Sequence, residues 1–151
     1  MGTQQILLIV LSVIIVGVAI AVGISMFNAQ AYNSNKTAIA GDAQAYAAQV
    51  LQFYKTPVSQ GGAGNLGANV TSDALASYLG LVAPNDANEN GTYAVFADVD
   101  GAAVQVRIYG QGTAVRGDFK PQIKTTITLA TDDVTAEASD VAEDTAMPTD
   151  F

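Results

Sequence analysis

The chain has 151 residues and a formal net charge of −8, with 14 acidic and 6 basic side chains and no Cys, His or Trp. Without Cys and His, it cannot form disulfides, thiolate or imidazole metal sites, or a Ser-His-Asp triad. The acidic balance argues against a nucleic-acid partner, which requires a positively charged surface. Half of the residues are nevertheless hydrophobic, so their position along the chain decides the class of protein.

The hydrophobic residues are concentrated near the N-terminus. The run Ile6–Phe27 contains no charged side chain and only two polar ones, Ser12 and Ser25. As an α-helix rising about 1.5 Å per residue, it is about 33 Å long, enough to cross the hydrocarbon core of a bilayer. A cleaved signal peptide would need a basic start and a shorter apolar core. Because Met1–Gln5 contains no Lys or Arg, we favour a retained helix.

Helical spacing continues beyond this run. No proline occurs between Asn28 and Lys55, and Pro57 ends the pattern. The larger apolar residues follow one stripe of an amphipathic helix: Tyr32, Ile39, Ala43, Tyr46, Val50 and Phe53. The sequence therefore predicts one helix of about 50 residues, apolar all round over residues 1–27 and amphipathic over residues 28–57.

Residues 58–91 are predicted to form a loop with one short helix. The segment Ser59–Asn69 is rich in glycine and contains a formal GxGxxG at Gly62–Gly67. A dinucleotide-binding loop of this pattern follows a strand, whereas this one follows a helix, so we interpret it as a plain loop.

The second half of this region contains the signals of helix ends. Thr71 or Ser72 is expected to cap a helix that runs to Leu79, and Gly80 is placed to end it. The segment Asn85–Gly91 is predicted to be a polar turn.

After this turn the apolar pattern changes to a period of two, which is typical of β-strands. Three strands are predicted: Thr92–Val99, Ala103–Tyr109 and Gln122–Ala130. Asp100-Gly101 is a type I′ hairpin signal between the first two. Residues 92–130 are thus predicted to form an antiparallel sheet, and its apolar face needs the stripe on the helix as a cover. The predicted fold class is α+β, with a long N-terminal helix packed on a small antiparallel sheet.

The C-terminal segment, residues 131–151, contains seven acidic residues and no basic one. Two interpretations remain open for it. A block of like charges is usually a mobile, solvated segment, but an additional strand is also compatible with the residues Val134–Ala138.

One motif suggests a metal ion. Asp86, Asn88 and Asn90 match the opening of a calcium-binding loop, in which oxygens at alternate positions converge on the cation. The closing glutamate is missing, and Asp98 and Asp100 are available in its place if the hairpin folds back. Since Asn and Asp are also ordinary turn residues, calcium is a secondary prediction. No other cofactor and no catalytic constellation is predicted.

An uninterrupted apolar helix at the start of the chain, an amphipathic helix with a tyrosine-rich end (Tyr46, Phe53, Tyr54) and a small antiparallel sheet together resemble type IV pilins and pseudopilins. In that family the apolar helices pack into the core of a helical filament, and the globular domains form its outer surface. The resemblance implies an extracellular filament at the cell surface, with subunits that wait in the inner membrane. Its implied partners are copies of the chain, the membrane and the pilus assembly machinery.

Bacterial members of the family usually carry a glutamate at the fifth mature residue. If Met1 is the first mature residue, this chain has Gln5 there, which accepts a hydrogen bond but cannot neutralise a neighbour's ammonium group. If cleavage follows Gly2, Leu7 falls at that position. The family's C-terminal disulfide loop is also absent, which indicates a divergent branch. The residues expected to mediate assembly are Gln5, Ile6, Leu7, Val10, Ile14, Gly17, Ala21, Gly23 and Phe27.

The sequence therefore predicts a structural subunit of a type IV pilus-like filament, without enzymatic activity. A lone apolar helix needs lipid or other copies of itself to cover it, and non-closing contacts between identical subunits generate filaments. Two alternatives stay open. One is a single-pass, membrane-anchored binding or scaffold protein, and the other is a minor pseudopilin of a secretion or uptake machine.

Overall fold

The computed structural model describes residues 2–82, 85–100 and 103–148. Within these residues the chain forms two α-helices and five β-strands: α1 (Thr3–Lys55), α2 (Ser72–Leu79), β1 (Asn85–Ala87), β2 (Gly91–Asp100), β3 (Ala103–Gly112), β4 (Phe119–Thr128) and β5 (Asp133–Ala142). The predicted α+β fold is confirmed, because one long helix packs on a single antiparallel sheet.

Helix α1 is one continuous helix of 53 residues, roughly 80 Å long. It ends because Thr56 is extended and Pro57 follows, and the N–H of Thr56 caps it by donating to the carbonyls of Gln52 and Phe53. Its buried side chains are confined to one stripe of its second half: Tyr32, Ile39, Ala43, Ala47, Val50 and Phe53. The predicted stripe is thus confirmed, except that Ala47 is buried and Tyr46 is half-buried at its edge.

The sheet is a meander in which each strand pairs antiparallel with the next, in the order β1-β2-β3-β4-β5. Helix α1 crosses one face of the sheet over β3 and β4. Its stripe packs against the inward residues of those strands, which include Val106, Ile108, Ile123 and Ile127. Helix α2 adds Leu75 and Ala76 to this core. Burial of these apolar side chains, each contributing about 1.5–3 kcal/mol, holds the helix on the sheet.

A smaller cluster covers the other face of the sheet. Ala94 and Phe96 of β2 are buried there together with Met147 from the C-terminal segment, and Tyr109 packs beside them. The rings of Phe96 and Tyr109 meet edge to face at 6.0 Å. The C-terminal segment therefore folds back on the domain.

The three predicted strands are present with different limits. Strand β3 continues to Gly112, and β4 runs over Phe119–Thr128 in place of Gln122–Ala130. The pair between Asp100 and Ala103 closes the hairpin of β2 and β3, and the predicted turn residue Gly101 lies outside the described residues.

One other prediction is corrected. The segment Asn85–Gly91 is more than a turn, since Asn85–Ala87 form the short strand β1 on the outer side of β2. Of the two interpretations left open for the acidic segment, the additional strand is confirmed, because the segment forms the ten-residue strand β5, which is longer than Val134–Ala138. Pairing with β4 along one edge satisfies the backbone groups of β5 on that side, although both faces of the strand are exposed.

The loop interpretation of the GxGxxG segment holds, because it follows α1 directly and contains only two single-turn 3₁₀ helices, Val58–Gln60 and Gly67–Asn69. Its glycines allow close packing. A Cβ at Gly62 would meet Thr56, and one at Gly67 would meet Val104. The predicted cap of α2 is confirmed, since the Thr71 hydroxyl accepts from the Ala74 N–H at 3.2 Å.

Candidate functional site

The apolar first half of α1 projects from the domain with its side chains exposed on every side. All residues from Gly2 to Asn28 are exposed, with Leu7 at 67% and Phe27 at 74%. The hydroxyl of Ser12 donates to the carbonyl of Leu8 at 2.8 Å, so this polar group is satisfied inside the helix. We call Ile6–Phe27 the apolar segment. Its surface has no cover within the described chain.

The residues predicted to mediate assembly lie on two sides of the apolar segment. Successive residues of an α-helix are rotated by about 100°, which places six of them on one side: Ile6, Leu7, Val10, Ile14, Gly17 and Ala21. The other three, Gln5, Gly23 and Phe27, lie on the opposite side. Since side chains between them are also apolar, the segment can contact neighbours all round, as a helix in a bilayer or in a helical bundle does.

The apolar segment is long and apolar enough to cross a membrane. The mean hydropathy of its most apolar 18-residue window is 3.2, and no residue of that window is buried. The first charged residue of the chain is Lys36, so the segment carries no charge into the hydrocarbon. Because every internal N–H of a helix is bonded within the helix, the backbone is also suited to lipid.

Beyond the apolar segment, two carboxylates accept hydrogen bonds that hold the domain on α1. The first is Asp140 at the edge strand β5. Its Oδ1 accepts from the Tyr32 hydroxyl at 2.8 Å and from Lys36 Nζ at 2.8 Å. The hydrogen bond from Lys36, followed by that from Tyr32, holds the pKa of Asp140 below its usual value. Burial, followed by the bond to Asp140, raises the pKa of the Tyr32 phenol to about 12.

The second carboxylate is Asp42, which is partly buried on α1. Its Oδ2 accepts three hydrogen bonds, from Asn88 Nδ2 at 2.9 Å, Asn90 Nδ2 at 2.8 Å and the Tyr93 hydroxyl at 2.7 Å. The bond from Asn90 contributes most to lowering the pKa of Asp42, and burial partly opposes it. Burial, then the bond to Asp42, raises the pKa of Tyr93. We call these four residues the Asp42 cluster.

The Asp42 cluster attaches the turn between β1 and β2 to the helix, and Asn35 supplements it. The Asn35 Nδ2 donates to the carbonyl of Asn90 at 2.7 Å, and its Oδ1 accepts from the N–H of Ala114 at 3.2 Å. Asn35 therefore connects α1 to the β1–β2 turn and to the β3–β4 loop at once. Together these contacts fix the orientation of the domain relative to α1, whose first half is the apolar segment.

The calcium candidates of the β1–β2 turn are engaged in hydrogen bonds. The Asp86 carboxylate accepts from the N–H groups of Val82 and Ala87. The Asn88 Oδ1 accepts from the N–H groups of Asn90 and Gly91, at 2.8 and 3.0 Å, which is the geometry of an Asx turn. The side-chain amide nitrogens of Asn88 and Asn90 donate to Asp42. On that side the two residues therefore present N–H groups, and no oxygen that could bind a cation.

The structure separates the fourth candidate from these three. Strand β2 is extended over ten residues, so Asp98 lies about 25 Å from Asn90 along the strand. Even-numbered residues of β2 such as Phe96 face away from α1, and Asp98 shares that side. Strand β2 thus does not fold back to bring Asp98 or Asp100 to the turn. The described residues contain no group of three or more acidic side chains with the geometry to hold a metal ion.

Sequence reasoning missed the two carboxylates that hold the domain on the helix. Asp42 is an ordinary polar residue on an amphipathic helix, and its partners are 46 to 51 residues away. Asp140 was part of an acidic block, and its partner Tyr32 is 108 residues away. One signal was available, because Lys36 is the first charged residue after the apolar segment and no acid lies within one helical turn of it, so an ion-pair partner had to come from elsewhere in the chain.

The architecture defines a class: an α+β domain held on the distal part of a single long helix whose proximal part is an exposed apolar rod. No protein-family model matches the chain, and no curated protein or solved structure matches it significantly.

Proposed function

We propose that this chain is the structural subunit of an extracellular type IV pilus-like filament, assembled by packing of its apolar segments. The observation that carries the proposal is the apolar segment itself, exposed on all sides over about 33 Å. An uncovered surface of this size is stable only in lipid or against other copies of the chain. In the proposed life cycle, the bilayer of the inner membrane covers the segment first, and neighbouring segments cover it after assembly.

The continuity of α1 supports this use of the segment. The helix runs without a proline from Thr3 to Lys55, so the apolar rod and the part that carries the domain move as one body. Because the domain sits only on the second half of α1, copies shifted along a common axis can bring their rods together while their domains remain outside. Heterologous contacts of this kind do not close and therefore generate fibres.

The distribution of charge also supports it. All 20 charged side chains of the chain lie at or beyond Lys36, and none lies in the apolar segment. Packing the rods together therefore buries no charged side chain, which would otherwise cost several kcal/mol per ion. The acidic domains would form the water-facing surface of the fibre, where a net charge keeps fibres soluble.

The experiment is to shear cells, collect the released material and image it by negative-stain microscopy. The proposal expects fibres that contain this chain, identified by mass spectrometry of the purified fibres. A second function, a single-pass membrane-anchored scaffold, is favoured by the same bilayer-matched length of the segment. Recovery of the chain only from detergent-extracted membranes would contradict the filament and favour that scaffold. Fibres in which the chain is present at a low copy number would indicate a minor pseudopilin.

A further inference from the structure

The loop between β3 and β4, residues 113–118, lies beside the apolar segment. A cleft of about 380 Å³ separates them. The residues that line it are Ala21, Ile24, Ser25, Asn28 and Ala29 on α1, and Val115, Arg116 and Gly117 on the loop. The loop thus lies beside the last residues of the apolar segment, from Ala21 onward, and beside the first residues that follow it.

Backbone hydrogen bonds keep this loop in place. The N–H of Ala114 donates to Asn35 on α1. Arg116 and Phe119 exchange both of their backbone hydrogen bonds, at 2.9 and 3.3 Å, and the carbonyl of Asp118 accepts from the N–H of Glu143 at 2.8 Å. The position of the loop relative to the helix is therefore a fixed property of the fold.

Helix geometry gives the depth of the loop when the apolar segment crosses a bilayer. Ala21 is six residues before Phe27, which corresponds to about 9 Å along the helix axis. The headgroup layer on each side of the hydrocarbon core is about 5–8 Å thick. With Ile6–Phe27 across the bilayer, a loop that lines a cleft with Ala21–Ala29 therefore lies at the outer edge of the hydrocarbon core and the adjoining headgroup layer, and not in free water.

The side chains of the loop suit that layer. Arg116 is exposed, and within the described residues its side chain forms no hydrogen bond or salt bridge, although its charge acts on Asp140 and Tyr32 at longer range. The nearby acid Asp140 already binds Lys36 and Tyr32. Val115 and Phe119 are 37% and 52% exposed, and Phe27 is 74% exposed at the end of the apolar segment. A cation beside exposed apolar and aromatic side chains is typical of membrane interfaces, where long basic side chains reach the phosphates.

We propose that the β3–β4 loop anchors the domain to the membrane surface before assembly. Arg116 binds the phosphate of an anionic phospholipid headgroup, and Val115 and Phe119 enter the headgroup layer beside it. The guanidinium group suits this ligand because its planar donors match phosphate oxygens in pairs. The anchor requires the segment to span the bilayer, and it does not depend on the filament.

The absence of Trp from the chain provides a clean test. The full chain carrying Val115→Trp is reconstituted into vesicles of phosphatidylcholine and phosphatidylglycerol that are brominated at the top of their acyl chains. Phe27→Trp serves as the reference for an inserted helix. Leu66→Trp, at a position that is 58% exposed and near the far end of α1, serves as the reference for the part of the domain in water.

The proposal expects strong quenching of V115W and F27W fluorescence, and little quenching of L66W. Adding Arg116→Gln to V115W is expected to reduce the quenching to the level seen in pure phosphatidylcholine. Lys55→Gln, the matched control, removes a base at the far end of α1 and is expected to leave the V115W signal unchanged. Circular dichroism of each variant checks that the fold is retained.

Three results would overturn the anchor. The first is an unquenched V115W while F27W is quenched, since the helix is then inserted and the loop is in water. The second is equal quenching of L66W, because the whole domain then lies on the membrane without a specific contact. The third is an Arg116→Gln signal equal to that of Lys55→Gln. None of these measurements needs a fibre, so failure of the anchor and failure of the filament are distinguishable.

Discussion

The Asp42 cluster gives the sharpest prediction about what holds the domain on the second half of α1. Replacing Asp42 with Ala removes one acceptor from three donors, the side chains of Asn88, Asn90 and Tyr93. Tyr93 has no exposed surface, so its hydroxyl has no access to water as a substitute partner. The two Asn amides are more exposed and can bind water.

The magnitude follows from these exposures. A buried donor left without a partner costs about 1–3 kcal/mol, whereas the exposed amides lose only about 0.5–1 kcal/mol each. We therefore expect Asp42→Ala to lower the free energy of unfolding by about 2–5 kcal/mol. Tyr93→Phe removes only the hydroxyl, and we expect it to cost about 1 kcal/mol. The double variant should cost less than the sum of the two, with a coupling of about 1 kcal/mol.

The assay is urea unfolding of the full chain in detergent micelles, followed by circular dichroism of the sheet. Glu89→Gln is the matched control, because it removes a carboxylate from the same turn that takes part in no hydrogen bond or salt bridge within the described residues. The control is expected to keep the wild-type midpoint. If Asp42→Ala also keeps that midpoint, or if its effect and that of Tyr93→Phe are strictly additive, the argument that the cluster holds the turn on the helix is wrong.

Four further predictions follow. Since the folded-state pKa values of Asp42 and Asp140 are lowered, the stability that these carboxylates contribute is present above the unfolded pKa of about 3.9 and is lost as pH falls through the lower folded values. Acid titration of the unfolding midpoint measures this loss of stability, and Asp42→Asn should make the loss smaller. The pKa of Tyr32 is raised to about 12, so the stability that Tyr32 contributes is present below the unfolded pKa of about 10 and is lost as pH rises toward 12. Tyr32→Phe should reduce this alkaline loss of stability. An unchanged dependence of the unfolding midpoint on alkaline pH would contradict the role given to the Tyr32 hydroxyl. Deleting Ile6–Phe27 should leave a soluble, folded monomer in analytical ultracentrifugation, because that segment is exposed and contributes nothing to the core; continued self-assembly of the fragment would refute the role of the segment. Added Ca²⁺ is expected not to shift the unfolding midpoint, because the oxygens of Asp86 and Asn88 already accept backbone hydrogen bonds; a stabilising shift would instead support the predicted calcium site.

The sequence was sufficient to predict the elements with a strong apolar period. The stripe on α1 and the period of two in β3 determine which faces are buried, and the structure buries most of that stripe together with Val104, Val106 and Ile108 of β3. The caps of α2 are equally local, since Thr71 and Gly80 act on residues within one turn. In each case the physical cause lies within a few residues of the element that it specifies.

The elements that were missed or left open have causes that are distant in sequence or weak in pattern. Strand β5 contains only two larger apolar residues, Val134 and Val141, and both of its faces are exposed, so no apolar period distinguishes it from a solvated tail, and its pairing with β4 is what orders it. Strand β1 is only three residues long. The roles of Asp42 and Asp140 depend on partners that only the folded chain brings near them.

The central claim is that the apolar segments of neighbouring copies cover one another inside a fibre, and cysteine accessibility tests it most directly. The chain has no Cys, so single variants can be placed in the rod, Ile14→Cys, and on exposed β5, Ser139→Cys. Sheared fibres are treated with a charged maleimide and analysed by mass spectrometry. We expect rapid labelling of S139C, and labelling of I14C only after detergent dissociates the fibres. Equal labelling of both positions in intact fibres, or absence of the chain from the sheared fraction, would contradict the account.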